Sequence, residues 1–187
     1  MSAFVTLSSS RICLRRWRDE DREAFATMNS DARVMEFFRG SLSPIESDAM
    51  VDGIREHFSK HGFGLWAIEV EGVAPFVGFA GMTLARFKAH FTPCVEVGWR
   101  LAFEHWGYGY ATEAARLALG YGFRNLALPE VVSFTSVTNH RSRAVMERLG
   151  MRRDSAEDFD YPALPESHPL RRHVLYRLSS DSYCGTC

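Results

Sequence analysis

The chain has 187 residues, a formal net charge of −1, 46% hydrophobic and 24% charged side chains. That length suits one domain, and the composition is globular, which excludes wholesale disorder. No apolar run approaches the ~18 residues of a membrane span, and Met1-Ser2-Ala3-Phe4-Val5 lacks a signal peptide's charged-then-apolar layout. Four cysteines are too few for a disulfide scaffold, so a reducing cytoplasm is the expected setting. Basic charge is unevenly divided, with 20 Arg against two Lys, Lys60 and Lys88. Arginine grips phosphate and carboxylate in a fixed two-pronged geometry, so anionic ligands are in view. Acids balance bases, which leaves no general nucleic-acid footprint.

The first strand signal is Ile12-Cys13-Leu14-Arg15. Asp19-Glu20-Asp21 then supplies the acids that open a helix, and Ala24, Phe25 and Met28 recur at the helical period. Ser43-Pro44 opens a second helix, with Pro in its first turn and Ile45, Met50, Ile54 and Phe58 inside it. The period then changes. Residues 65–70, a Glu71-Gly72 turn and residues 76–82 predict a hairpin, and residues 95–101 a further alternating strand. A loop from Glu104 to Ala111 leads into a helical run ending near Phe123. Residues 131–137 predict another strand, and Asn139 to Leu149 a short helix stopped by Gly150. His173 to Leu178 is the closing strand. Residues from about 179 to 187 read as a flexible tail, and Cys184-Gly185-Thr186-Cys187 lies in it without the strand–helix context of a redox motif. No repeat or linker divides the chain, so residues 1–187 are expected to form a single α/β domain.

Chemistry concentrates at Gly107-Tyr108-Gly109-Tyr110-Ala111, where a strand has ended and a helix begins with Thr112 and Glu113. The first turn of a helix leaves four backbone N–H groups without partners and carries about half a positive charge. Glycines at 107 and 109 remove side chains that would hold a phosphate away, and Ala111 and Ala114 keep the entrance open. A nucleoside-triphosphate loop needs Gly-Lys-Ser/Thr, yet no Lys occurs between residues 89 and 187. A dinucleotide loop needs a small residue where Thr112 stands and an acid closing the next strand, whereas Glu130 precedes that strand. Coenzyme A, with its pyrophosphate on this helix, is the third option.

On these residues the chain resembles the GNAT N-acetyltransferase superfamily. The superfamily's loop, Gln/Arg-x-x-Gly-x-Gly/Ala, falls on Trp106 to Ala111, with Trp in the first position as a departure. The stretch from Val95 to Ala115 is similar to the branch that includes ribosomal-protein N-terminal acetyltransferases. So are Arg11 to Arg16 before an acidic helix start, Asn139 to Met151, and His168 to Tyr176. Three separated matches besides the loop, in the right order, extend the resemblance over nearly the whole chain. The resemblance implies a mixed, mostly antiparallel sheet flanked by helices on both faces.

It also implies acetyl transfer from acetyl-CoA, a co-substrate, to a primary amine of a protein N-terminus or small molecule, by direct attack in a ternary complex without a metal. Trp106, Gly107, Tyr108, Gly109, Tyr110, Ala111 and Thr112 would cradle the pyrophosphate, chiefly through the N–H groups of Gly107, Gly109 and Ala111. Backbone at Leu101, Ala102 and Phe103 would pair with the pantetheine arm as an added strand. Asn139 would bind the same arm, cap the following helix, or do both. Glu96 is either a general base acting through water or a solvated strand carboxylate; apolar walls would raise its pKa toward neutrality. Ser142, on the Asn139 face of the short helix, would meet the coenzyme, and it or a water would stabilise or protonate the departing thiolate. Many relatives use a Tyr there, where this chain has Met146 and Leu149, and Tyr176 is too distant to align.

His105 and His140 adjoin the donor loop, but no His, Cys and carboxylate set has a metal spacing. Asp158, Asp160 and Glu166 are acids that could draw a cationic amine or simply be solvated, and Trp66 and Phe38 are either a cleft wall or core. Neither nucleic acid nor membrane is expected as a partner, and monomer and homodimer both stay open. A rival of a different class is a coenzyme-A-binding module that kept the pocket and lost the chemistry. The two readings differ in whether Glu96 and Ser142 matter.

Overall fold

The computed structural model describes residues 5–183. In chain order these form β1 (Leu7–Ser8), β2 (Ile12–Arg15), α1 (Asp21–Ser30), α2 (Pro44–His61), β3 (Leu65–Val70), β4 (Ala74–Leu84) and β5 (Val95–Leu101). Then come α3 (Tyr110–Arg124), β6 (Glu130–Ser136), α4 (His140–Arg148), β7 (Arg152–Arg153), β8 (Phe159–Asp160) and β9 (Arg172–Ser179). The two-residue strands β1, β7 and β8 are too short to leave a periodic signal.

Local chemistry explains the boundaries. Ser43 accepts the Glu46 N–H while the Glu46 carboxylate reaches back to the Ser43 N–H at 2.8 Å, a reciprocal cap that starts α2, and Gly62 ends it at φ 75°. Asp21 opens α1 differently from a simple dipole acid. Its carboxylate binds the Arg15 guanidinium through two 2.8 Å contacts and also accepts the Arg18 N–H at 2.8 Å. Arg15 also bonds Glu69 at 2.6 Å, so one buried arginine ties β2, β3 and the start of α1 together.

Among the described residues nine strands make one sheet, ordered β1-β2-β3-β4-β5-β6-β9-β7, with β8 also paired to β9. Neighbours run antiparallel except β5 and β6, which are parallel because α3 crosses over between them. That pair meets at a single register position, Glu96 opposite Val132.

Helices cover both faces. On one, Ala114, Ala115, Ala118 and Leu119 of α3 and Met146 of α4 pack on Leu14, Trp66, Ile68, Met82 and Val97. Alanines let α3 lie close, and each fully buried Leu or Met here contributes about 1.5–3 kcal/mol. On the other face α1 and α2 bury Phe25, Met28, Val51 and Ile54 against Trp17, Ala67, Phe76 and Phe79. A third, aromatic cluster of Phe87, Phe91, Phe134 and Phe159 lies beside β6 and β9. Trp66 is core: its ring is fully buried on the α3 side and its indole donates to the Val5 carbonyl at 2.8 Å. The tail expected from about residue 179 is held to the fold as far as Tyr183, whose ring lies 4.8 Å from that of Phe123. Cys184 and Cys187 lie outside the described residues. No helix among the described residues is long and apolar enough to cross a membrane.

Candidate active site

Beyond the one contact between Glu96 and Val132, β5 and β6 line opposite walls of a cleft of about 1430 Å³. The cleft runs through this split. On one side it reaches α3 and α4; on the other it reaches residues 34–42 and the face that carries α1 and α2.

The α3 end is made of backbone. Gly107 and Gly109 have φ of 83° and 84°, left-handed values that glycine adopts without strain. A Cβ on Gly107 would meet nothing within 4 Å, and one on Gly109 only Arg11 Nη2 at 3.7 Å, so the space before the loop is open. Gly109 is the N-cap of α3 and offers no side-chain acceptor, which leaves the first-turn N–H groups to an external one. Glu113 in that turn would repel an anion, but Arg11 from the β1–β2 turn binds it through Nε at 2.9 Å and donates to the Tyr108 carbonyl at 3.3 Å. Ser9 adds a 2.5 Å bond to the same carboxylate. The cradle is thus neutralised by residues about a hundred positions upstream, a partnership no local motif announces.

Trp106 has a definite job in place of the family's Gln or Arg. Its indole N–H donates to the Leu101 carbonyl at 2.9 Å, and Arg141 lies 4.8 Å over its ring. This moves the expected strand-like edge. The Ala102 N–H is bonded to the Val77 carbonyl at 3.0 Å, Phe103 begins a 3₁₀ turn, and neither residue lines the cleft. Val97 turns its carbonyl toward β6, where Ser133 Oγ donates to it at 2.9 Å, so by alternation the peptide groups of Trp99 and Leu101 face the split as well. The exposed edge therefore centres on Trp99, with Leu101 partly occupied, and excludes Ala102 and Phe103. Leu101 and all of residues 106–112 do line the cleft.

Asn139 and Ser142 also line it. Asn139 caps α4, its Oδ1 accepting the Ser142 N–H at 3.2 Å, while its Nδ2 donates to Thr135 Oγ1 at 2.9 Å and to Ser142 Oγ at 3.1 Å. Both amide hydrogens are used within the protein, so only an Oδ1 lone pair is left for a ligand. The Ser142 oxygen is an acceptor in this network, and its own hydrogen has no acceptor among the described residues. Tyr176 is buried outside the cleft and donates to Glu147 at 2.8 Å. His105 and His140 sit on the cleft wall.

The opposite end is made of side chains. Glu96, Gly98 and Arg100 share the β5 face that looks toward α1 and α2. Burial pushes the Glu96 carboxyl up to about 7, against a smaller downward pull from the Thr83 hydroxyl, which donates to Oε1 at 3.1 Å. Phe38 lines this end, but Asp158, Asp160 and Glu166 do not. Arg153 holds Asp158 at 2.9 Å, and Arg171 and Arg172 hold Asp160 at 3.4 and 3.3 Å, so these acids are committed to the protein's own cations. Among the described residues no three His, Cys, Asp or Glu side chains gather as a metal site.

A sheet split at one parallel pair, with an uncapped glycine-led helix start below it, defines an acetyltransferase of the GNAT type. The chain belongs to that family: the model described as "Acetyltransferase (GNAT) domain" matches residues 11–152. Among its relatives, "Putative ribosomal N-acetyltransferase YdaF" of Bacillus subtilis (strain 168) is 42% identical over 133 residues, covering 71% of this chain and 72% of that protein. "FsC-acetyl coenzyme A-N(2)-transacetylase" of Aspergillus fumigatus is 33% identical over 162 residues, covering 81% of this chain and 66% of that one. The crystal structure of an acetyltransferase from Agrobacterium tumefaciens superposes with a TM-score of 0.75 at 27% identity, covering 95% and 96% of the two chains.

Proposed function

We propose that this protein transfers the acetyl group of acetyl-CoA to a primary amine, in a ternary complex and without a covalent enzyme intermediate. One observation carries the reading: the open helix start and a carboxyl poised near neutrality line the same cleft through the split in the sheet. Acetyl-CoA supplies the activated thioester. The N–H groups of Gly107, Gly109 and Ala111 hold its pyrophosphate, and the peptide edge at Trp99 pairs with its arm as an added strand. Glu96 accepts, directly or through water, the proton that the amine gives up as its nitrogen bonds to the carbonyl carbon. Ser142 donates a hydrogen bond to the sulfur as the carbon–sulfur bond breaks, and the departing thiolate takes its proton from water. Family membership and the acetyl coenzyme A named for the Aspergillus relative support this donor. Protein N-termini and small amines are the two acceptor classes, and the cytoplasm is the proposed setting.

Calorimetric titration with acetyl-CoA, with NADH and ATP as controls, tests the donor half. Binding of acetyl-CoA alone, followed by thiol release with peptide and small-amine acceptors, is the expected result. A preference for NADH overturns the reading. Tight acetyl-CoA binding with no thiol release from any amine would instead favour the non-catalytic module.

A further inference from the structure

Arg100 is 9% exposed, yet it has no carboxylate partner among the described residues. Its Nη1 donates to Asn29 Oδ1 at 2.6 Å, its Nε is buried without an acceptor, and its Nη2 makes no hydrogen bond to any described residue. The rings of Phe38 and Phe79 lie 4.0 and 5.4 Å from the guanidinium carbon. A guanidinium held against aromatic rings keeps its polar edge for an in-plane partner, and a planar carboxylate is the partner that edge fits.

The surroundings point the same way. Arg100 lines the acceptor end of the cleft, and exposed Arg39 stands at its mouth. Among the described residues Glu96 is the one carboxyl lining that end, and it is the group whose burial disfavours charge. Between Glu96 and Arg100 lies Gly98, where an added Cβ would meet nothing within 4 Å. A trough therefore follows β5 from the carboxyl to the guanidinium. Four residues of strand span about 13 Å. An α-amino acid, whose amine and carboxylate share one carbon, is too short to reach both ends.

We propose that the acceptor is an extended amine that carries a carboxylate remote from the reacting nitrogen, held by Arg100 across the Gly98 trough while the amine lies at Glu96. The chemistry is common to long ω-amino acids and to peptides with a free N-terminus and an acidic side chain nearby. This rests on the acetyltransfer reading above, and it makes Arg100 a specificity-determining residue.

The test compares ω-amino acids of increasing chain length with alkylamines of equal length, and peptides with Asp or Asn at the third position, by thiol release from acetyl-CoA. A preference of about tenfold or more in kcat/KM for the carboxylated member is expected, appearing only above a minimum length. Superiority of the ω-amino acids assigns a small-molecule acceptor, and superiority of the Asp peptides a protein N-terminus. Arg100→Gln should bring the carboxylated-to-neutral ratio close to one. Gly98→Val, at a position with no positive φ, should raise the KM of the carboxylated acceptors while acetyl-CoA affinity holds. Equal use of carboxylated and neutral amines by the unaltered protein overturns the proposal and leaves acetyltransfer standing. Failure of every amine removes the acetyltransfer reading instead. In that case saturable binding of a long dicarboxylate to the coenzyme-A-loaded protein, lost in Arg100→Gln, upholds the anion site, and no such binding overturns it.

Discussion

The two ends of the cleft are built on opposite principles. At the α3 end the groups proposed to meet the donor are backbone N–H groups exposed by the absence of side chains, and any peptide chain could supply them once Gly107 and Gly109 set the conformation. At the β5 face the cleft is lined by side chains, Glu96, Thr83 and Arg100 of β4 and β5, with Arg100 held from behind by Asn29 of α1, and in the proposed reading these would recognise the acceptor. A backbone site fixes one ligand class and tolerates exchange around it, as Trp106 in the family's Gln or Arg position illustrates. A side-chain site changes its ligand with each substitution, so one fold can keep its donor and vary its acceptor.

The contrast predicts which changes hurt where. Gly109→Val puts a β-branched side chain at φ 84° and fills the open space before the loop. Loss of two charge-assisted hydrogen bonds should weaken acetyl-CoA binding about hundredfold or more, measured by calorimetry. Retained affinity would mean that the cradle lies elsewhere. Glu96→Gln should lower kcat by roughly a hundredfold while acetyl-CoA affinity stays, keeping the damage on the acceptor side.

The same variant has a signature in pH. With the Glu96 carboxyl raised to about 7, activity should climb as pH rises through that value, and this limb should vanish in Glu96→Gln. The sign for stability is opposite. A raised carboxyl favours the protonated folded state, a contribution fully present below the ordinary carboxyl range and lost as pH rises through about 7. Relative to the original chain, Glu96→Gln should therefore gain on the order of 3 kcal/mol in denaturant titrations at pH 8, compared with pH 4. The smallest effect belongs to Thr83→Val. It removes the hydrogen bond that pulls the carboxyl down, so the activity limb should move to higher pH.

How much of this the sequence discloses follows the same division. Val95 to Leu101 reads as a strand because its alternation is local, and the strand appears with those bounds. The glycine loop is legible because phosphate access and positive φ both demand small residues at fixed spacing. Ser43-Pro44 shows as a helix start because its cap lies within one turn. Contacts between distant segments leave no such trace. Arg11 neutralising Glu113, Trp106 taking the Leu101 carbonyl, and Arg100 meeting Asn29 depend on how the elements pack. Ala102 and Phe103 fall outside the cleft for a similar reason, since the turn that removes them is set by a bond to β4. Asp158 and Asp160 look available in the sequence only because their arginines are separated from them along the chain.

The single rung joining β5 to β6 has a mechanical meaning as well. The sheet consists of two leaves, β1 to β5 and β6 to β9, joined at one register pair beside the Ser133–Val97 bond and bridged by α3. In the proposed reading a coenzyme arm lying between the leaves would add rungs that the chain omits, and so act as a seam as well as a reactant. The free energy of folding would then rise with ligand concentration as RT ln(1 + [L]/Kd), and the melting temperature with it.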